Sequence, residues 1–172
     1  METWQAINRV RVVRQFTDQP LAPEHLDRIL SAARRAGSSK NEQRWAFVVI
    51  RDRELLGGLS KVGRYAGHLA GAAMAVALVT PDAKGPRNNS VMWDLGRAAQ
   101  NMVLAAWEVG VGSVPATVYD HELVARLLRL PSDQRCDFLL SFGYPADTSK
   151  LTAPNRSGGR LPLEAVLHEE VW

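Results

Sequence analysis

The chain has 172 residues, 46% hydrophobic and 23% charged, which is ordinary globular usage and excludes a disordered, collagen-like or coiled-coil chain; a fold of this length buries roughly 70% of the surface its unfolded chain exposes, so one domain over residues 1–172 is expected. Its 21 Lys and Arg against 18 Asp and Glu leave a net charge of +3, and the arginines are scattered rather than clustered among aromatics, which argues against a nucleic-acid partner. The lone Cys136 excludes an internal disulfide and any cysteine-built metal site, the apolar stretch Leu69 to Thr80 is too short for a bilayer, and the start Met-Glu-Thr-Trp-Gln lacks the features of a signal peptide; a cytoplasmic protein with no membrane partner is expected.

In chain order, Arg9, Arg11 and Arg14 alternate with Val10, Val12 and Val13, a group able to hold one small anion. Pro20 to Gly37 reads as a helix with Pro23 in its first turn and Gly37 past its end, its apolar face formed by Leu26, Ile29, Leu30 and Ala33. Trp45 to Ile50 is a buried strand, Asp52 a cap for the next helix, and Met74 to Thr80 a second strand ending at Pro81. Pro81 to Asn89 is the clearest loop. Ser90 to Val109 is a helix whose apolar face (Leu95, Ala98, Ala99, Met102, Val103, Ala106, Trp107) is too broad for a surface helix and marks it as central. Gly110 and Gly112 end it, and Ser113 to Tyr119 leads to a helix capped by Asp120 and terminated by Pro131. Cys136 to Gly143 is a third strand, followed by a polar stretch from Pro145 to Arg160 and a weakly structured end, Leu161 to Trp172.

Familiar catalytic patterns fail. His25, His68, His121 and His168 make no metal pair at helical spacing, since Ala125 stands where a zincin would place its second histidine. Each reads as a surface or capping residue, and no metal is expected. There is no Gly-x-Ser-x-Gly elbow. Gly110-Val-Gly112 has Pro115 where a third glycine belongs and follows a helix, so it is not a dinucleotide loop. What remains is anion- and amide-bearing groups at three separated places: Arg11 and Arg14, Ser38 to Gln43, and Arg160. Solvated loops carry such residues too, so composition leaves their role open.

Order in the chain adds to this. Arg11-Val-Val-Arg14-Gln-Phe16, Ser38-Ser-Lys-Asn41-Glu-Gln43-Arg-Trp45 and Asp94-Leu-Gly96-Arg-Ala-Ala-Gln100-Asn101, followed by Gly110-Val-Gly112, Leu127-Leu-Arg-Leu-Pro131, Gly143-Tyr-Pro145 and Arg160 to His168, together resemble the FMN-dependent nitroreductase family over almost the whole chain. The resemblance implies an α+β fold with a central mixed or antiparallel sheet flanked by helices, and an intertwined homodimer with two FMN sites at its interface. It implies an enzyme that uses NADH or NADPH as co-substrate and reduces nitroaromatic, quinone or related small acceptors by a ping-pong flavin mechanism. Carried over by position, Arg11 and Arg14 meet the FMN phosphate, ribityl chain or flavin edge, Val12 offers its backbone, and Arg160 is the other cation near the phosphate. Ser38, Ser39 and Asn41 reach the flavin from the partner subunit. Pro115, Ala116 and Thr117 line flavin N5, with the Thr117 backbone N–H as the catalytic donor.

The sequence departs from the family pattern at Val10 and Val12, where an arginine and a serine are common, at Arg44 for proline, at Val118 for glycine and at Gly158 for lysine. Its shortness implies an open site, or one closed by Pro81 to Asn89 or by the tail. A non-catalytic flavin-binding or FMN-free dimer, and a relative that fragments reduced flavin, are the alternative functions.

Overall fold

The computed structural model describes residues 2–154 and 159–172. Strand β1 (Ala46–Ile50) pairs antiparallel with β2 (Met74–Pro81) from Ala46 against Val79 to Ile50 against Ala75. β2 also pairs with β4 (Gln134–Gly143), which pairs with β3 (Gly112–Thr117), so the antiparallel sheet runs β1-β2-β4-β3. β2 is an unbroken apolar run because helices cover both faces of the sheet.

On one face, α2 (Pro23–Arg34) and α4 (Pro86–Glu108) set Ile29, Ala33, Leu95, Met102 and Ala106 against Val76, Leu78, Leu140 and Phe142. On the other, α3 (Arg53–Leu59) and α5 (His121–Leu128) set Leu56, Leu59 and Val124 against Ile50, Ala77, Val79 and Leu139. Both aspartate caps form as the sequence implies: Asp52 accepts from Leu55 N–H and Asp120 from Leu123 N–H, each at 2.8 Å. Helix α2 has Pro23 at its first position but no side-chain cap at Ala22. Its end is served instead by the Tyr144 hydroxyl, which accepts from Ala22 N–H at 3.2 Å and meets His25 Nδ1 at 2.9 Å.

Three expectations change. The loop read from Pro81 to Asn89 shrinks to residues 82–85, because Pro86 supplies the preset φ of a first helical residue and starts α4 one turn early. Ser113 to Tyr119, read only as a lead-in, contains β3; Pro115 fits there because β3 is an edge strand, where a missing N–H can face outward. Helix α5 stops before Pro131, with Arg129 in the left-handed region at φ 51°.

At the N-terminus α1 (Thr3–Arg9) leads into an extended segment laid along the free edge of β3. Val12 bridges Ser113 in parallel, and Val13 N–H donates to the Ser113 carbonyl at 3.0 Å. Gly112 permits this approach, since a Cβ there would lie 2.6 Å from the Val13 side chain. Short helix α6 (Ser149–Thr152) precedes the tail, which contains a single 3₁₀ turn at Leu163–Ala165 and is exposed from Gly159 to Trp172. Among the described residues no helix is long and apolar enough to cross a membrane.

Candidate functional site

The parity of β3 decides what its open edge offers. Val118 N–H donates inward to the Asp137 carbonyl at 2.9 Å, while Ser113 turns its carbonyl outward to Val13. Alternation along a strand therefore turns the backbone groups of residues 113, 115 and 117 away from β4. Pro115 has no N–H, so Thr117 supplies the outward donor at this end of the strand. The Thr117 side chain is exposed, whereas Ala116 packs into the core. Val118 also turns its side chain into the α3–α5 core, so this departure from the family pattern adds no bulk at the edge.

Arg11 and Arg14 lie on the segment docked against the other end of β3. Arg11 donates from Nη2 to the Ala153 carbonyl at 2.6 Å and so anchors the chain leaving α6. Arg14 is exposed, and its charge reaches His68. His68 is half-buried, with Nδ1 2.9 Å from Ser141 Oγ; that hydroxyl in turn donates to the Val114 carbonyl at 3.3 Å. Two neighbours orient the ring: Ser141 Oγ at Nδ1 and the Pro115 backbone. Nε2 is buried without a hydrogen-bond partner. Burial first, and the Arg14 charge second, push the His68 pKa below its ordinary value, while the Pro115 backbone pulls the other way. His68 is thus a half-buried ring held on Ser141 of β4, within the field of Arg14, not the surface or capping residue expected. Chain order carries no trace of this, because Ser141 and Arg14 are both remote in sequence.

Ser38, Ser39 and Asn41 form a second cluster. Their turn is unusual: Lys40, Asn41 and Gln43 adopt φ of 52°, 57° and 48°. Left-handed backbone at non-glycine residues costs energy and persists only when surrounding contacts hold it. Here Ser38 Oγ accepts from Gln43 N–H at 3.0 Å, and Ser39 N–H donates to Asp94 Oδ2 at 2.8 Å. Arg44 pairs with Glu42 in the same turn. Asp94 was not singled out as a site residue, although an acid beside Leu95 on the buried side of α4 is a legible anomaly. Asp94→Ala is expected to cost about 1–3 kcal/mol in urea unfolding because Ser39 N–H loses its acceptor. An unchanged unfolding midpoint would remove Asp94 as the anchor of the turn.

The two clusters sit on different elements of the fold. The Ser38 turn feeds β1, whereas Thr117 ends β3, and these are opposite edges of the sheet separated by three strand spacings, or about 14 Å. Arg160 lies in the exposed tail, where Nη1 donates to the Gly159 carbonyl at 3.0 Å. Gly158 lies outside the described residues. The groups themselves suit FMN: guanidiniums for a phosphate, hydroxyls and amides for a polyol chain, and an outward N–H for a ring nitrogen. Cys136 takes no part, since burial pushes its thiol up to about 12.

Comparison with known proteins bears on the family and the fold. The sequence profile of the nitroreductase family matches residues 7–72 and 57–144. A provisionally named NADH dehydrogenase/NAD(P)H nitroreductase of Archaeoglobus fulgidus is 36% identical over 143 residues, covering 80% of this chain and 82% of its own. An FMN reductase [NAD(P)H] of Bacillus subtilis is 30% identical over 185 residues, covering 94% of this chain and 71% of its own. The crystal structure of nitroreductase A from Vibrio parahaemolyticus superposes with a TM-score of 0.87 at 28% identity, covering 100% of this chain and 77% of that one. The profile match over residues 7–144, together with relatives at least 30% identical over most of the chain, places this chain in the nitroreductase family.

Proposed function

We propose that this chain is an FMN-dependent oxidoreductase that works as a homodimer, taking electrons from NADH or NADPH and reducing quinone, nitroaromatic or related small acceptors. The observation that carries the reading is the open edge of β3, which aligns Arg11 and Arg14 at one end with an outward Thr117 N–H at the other. Bound FMN would supply the redox chemistry, accepting a hydride from the reduced nicotinamide and passing two electrons on to the acceptor. This chain's own residues bind, orient and polarise. Arg14 would present a guanidinium to the phosphate, His68 would lie in the field of that arginine, which disfavours its cation, and the Thr117 N–H would donate to N5, polarising the ring toward accepting a hydride there.

The homodimer follows from the split site. A second copy would bring its Ser38 to Asn41 turn to the β3 edge of the first, a reading supported by the placement of β1 and β3 on opposite edges of the sheet. Exposed apolar groups supply the adhesion: Trp4 and Trp93 are each 72% exposed, and Leu161, Leu163, Val166, Leu167, Val171 and Trp172 line the tail.

Anaerobic titration of the purified protein tests the function. A yellow protein whose flavin bleaches with NADH or NADPH and recolours with a quinone or nitroaromatic is the expected outcome. A yellow protein that neither nicotinamide bleaches would leave a flavin binder without turnover. Arg14→Ala and Arg160→Ala are each expected to weaken FMN binding by about tenfold or more, since a charge-assisted hydrogen bond contributes about 1.5–3 kcal/mol. Unchanged affinity in both variants, measured by titrating apo-protein, would refute the phosphate assignment.

A further inference from the structure

The outward N–H of Thr117 can act on a bound ring only if its direction is held, and the chain around it is gripped from both sides. On the inner side Val118 N–H donates to the Asp137 carbonyl at 2.9 Å. Asp137 is the extra residue of a bulge, since Phe138 pairs with Leu78 and Cys136 with Val79. Bulges recur where a strand must re-aim a group. On the outer side, the Val62 carbonyl accepts from both Tyr119 N–H at 2.8 Å and Asp120 N–H at 2.9 Å, drawing the chain at Val62 and Gly63 against the end of β3. Gly63 is then so close that a Cβ on it would lie 2.5 Å from the Thr117 carbonyl oxygen and 3.0 Å from the Tyr119 ring. Its own backbone is not left-handed, so only this approach demands glycine. At Gly57 and Gly67, by contrast, an added Cβ would meet nothing within 4 Å.

We infer that Gly63 is a positioning residue for the proposed redox reaction: its missing Cβ lets the Val62–Gly63 chain close on the Thr117 carbonyl, and that contact sets the direction in which Thr117 presents its N–H to the flavin. The inference rests on the reading of Thr117 as the N5 donor. A methyl at 2.5 Å from a backbone oxygen must be relieved, and the oxygen cannot swing alone. Its peptide is pinned through Val118 N–H to the bulge, so the rotation passes back along the chain into Thr117 and tilts the N–H. A displacement of this kind at a preorganised donor weakens the polarisation of N5 as a hydride acceptor while leaving the Arg14 end of the site in place.

The test compares wild type, Gly63→Ala and Gly67→Ala as FMN-loaded dimers. Three quantities are read: FMN affinity, the flavin midpoint potential by equilibration with a redox dye under a chemical reductant, and the rate of reduction by nicotinamide. Gly63→Ala should hold FMN within about threefold of wild type, favour reduced over oxidised FMN about tenfold less, equal to about 30 mV for a two-electron couple, and be reduced about tenfold or more slowly. Gly67→Ala should match wild type in all three. A Gly63→Ala protein with unchanged potential and rate would overturn the inference, as would one whose loss of rate merely follows a loss of FMN. If Gly63→Ala does not fold, Tyr119→Ala replaces it, removing a ring that is 68% exposed and flanks the same contact. A shift of at least threefold in the reduced-to-oxidised preference then supports the inference, and none refutes it. The potential needs no nicotinamide, so a wild type that no nicotinamide reduces would sink the proposed function while the positioning role is still decided.

Discussion

Proline at position 117 is expected to slow reduction of bound flavin by about 100-fold or more, the scale of losing one preorganised donor, whereas alanine should stay within a few fold of wild type. The contrast isolates the backbone, because alanine keeps the N–H and proline removes it. The fold makes this comparison clean. Thr117 directs its N–H away from β4, so proline there breaks no ladder hydrogen bond, and the same edge already tolerates Pro115. Stopped-flow reduction of FMN-saturated variants, with dimer state and flavin occupancy checked first, is the measurement. Equal rates for the two variants would remove the Thr117 amide from the mechanism. A large loss in the alanine variant would move the role to the hydroxyl, which is exposed and has the freedom to reach a ligand.

The second large effect concerns the tail. Deleting residues 161–172 is expected to give a monomer at micromolar concentration and to weaken FMN binding about 100-fold, close to 2.7 kcal/mol, or two to three hydrogen bonds of about 1 kcal/mol each. Those bonds are the ones a partner's Ser38, Ser39 and Asn41 would make. The deletion leaves the core of one chain intact, since every residue it removes is exposed and none belongs to either apolar cluster. Far-UV circular dichroism should therefore change little while sedimentation changes greatly. A truncated chain that stayed dimeric and kept its flavin would show that the tail is not the adhesive, and would shift that role to Trp4, Trp93 and the exposed side of α4.

These two variants also bear on the departures at Val10 and Val12. Val12 takes its place by a backbone bridge to Ser113, and its side chain is 48% exposed. A serine hydroxyl missing from this position therefore removes one contact to a ligand without disturbing the docking of the segment. Arg11 is the larger surprise. Its guanidinium serves Ala153 in this chain, so it holds the approach to the tail as well as standing at the edge of the proposed phosphate site.

Much of this protein was settled by local chemistry. Asp52 and Asp120 cap their helices because a short carboxylate can reach an N–H three residues on, whatever lies elsewhere in the chain. The apolar stripe of α4 and the β-branched runs of β1, β2 and β4 declared their burial by spacing alone. The proposed site residues, the arginines and the Ser38 to Asn41 turn, came from the resemblance to the family carried by their order in the chain. What sequence order did not disclose depends on partners remote in sequence. Pairing of β3 with β4 made an edge of a segment that read as a lead-in, and that pairing alone turned the Thr117 N–H outward. Asp94 acquired its meaning from Ser39, 55 positions away, and His68 from Ser141, 73 positions away. The sheet order then put β1, which the Ser38 turn feeds, and β3 on opposite edges. Local propensities act within a turn or two of chain, whereas edge, parity and close approach arise only when distant segments pair, which is why a glycine at position 63 looks like any other until the Thr117 carbonyl is beside it.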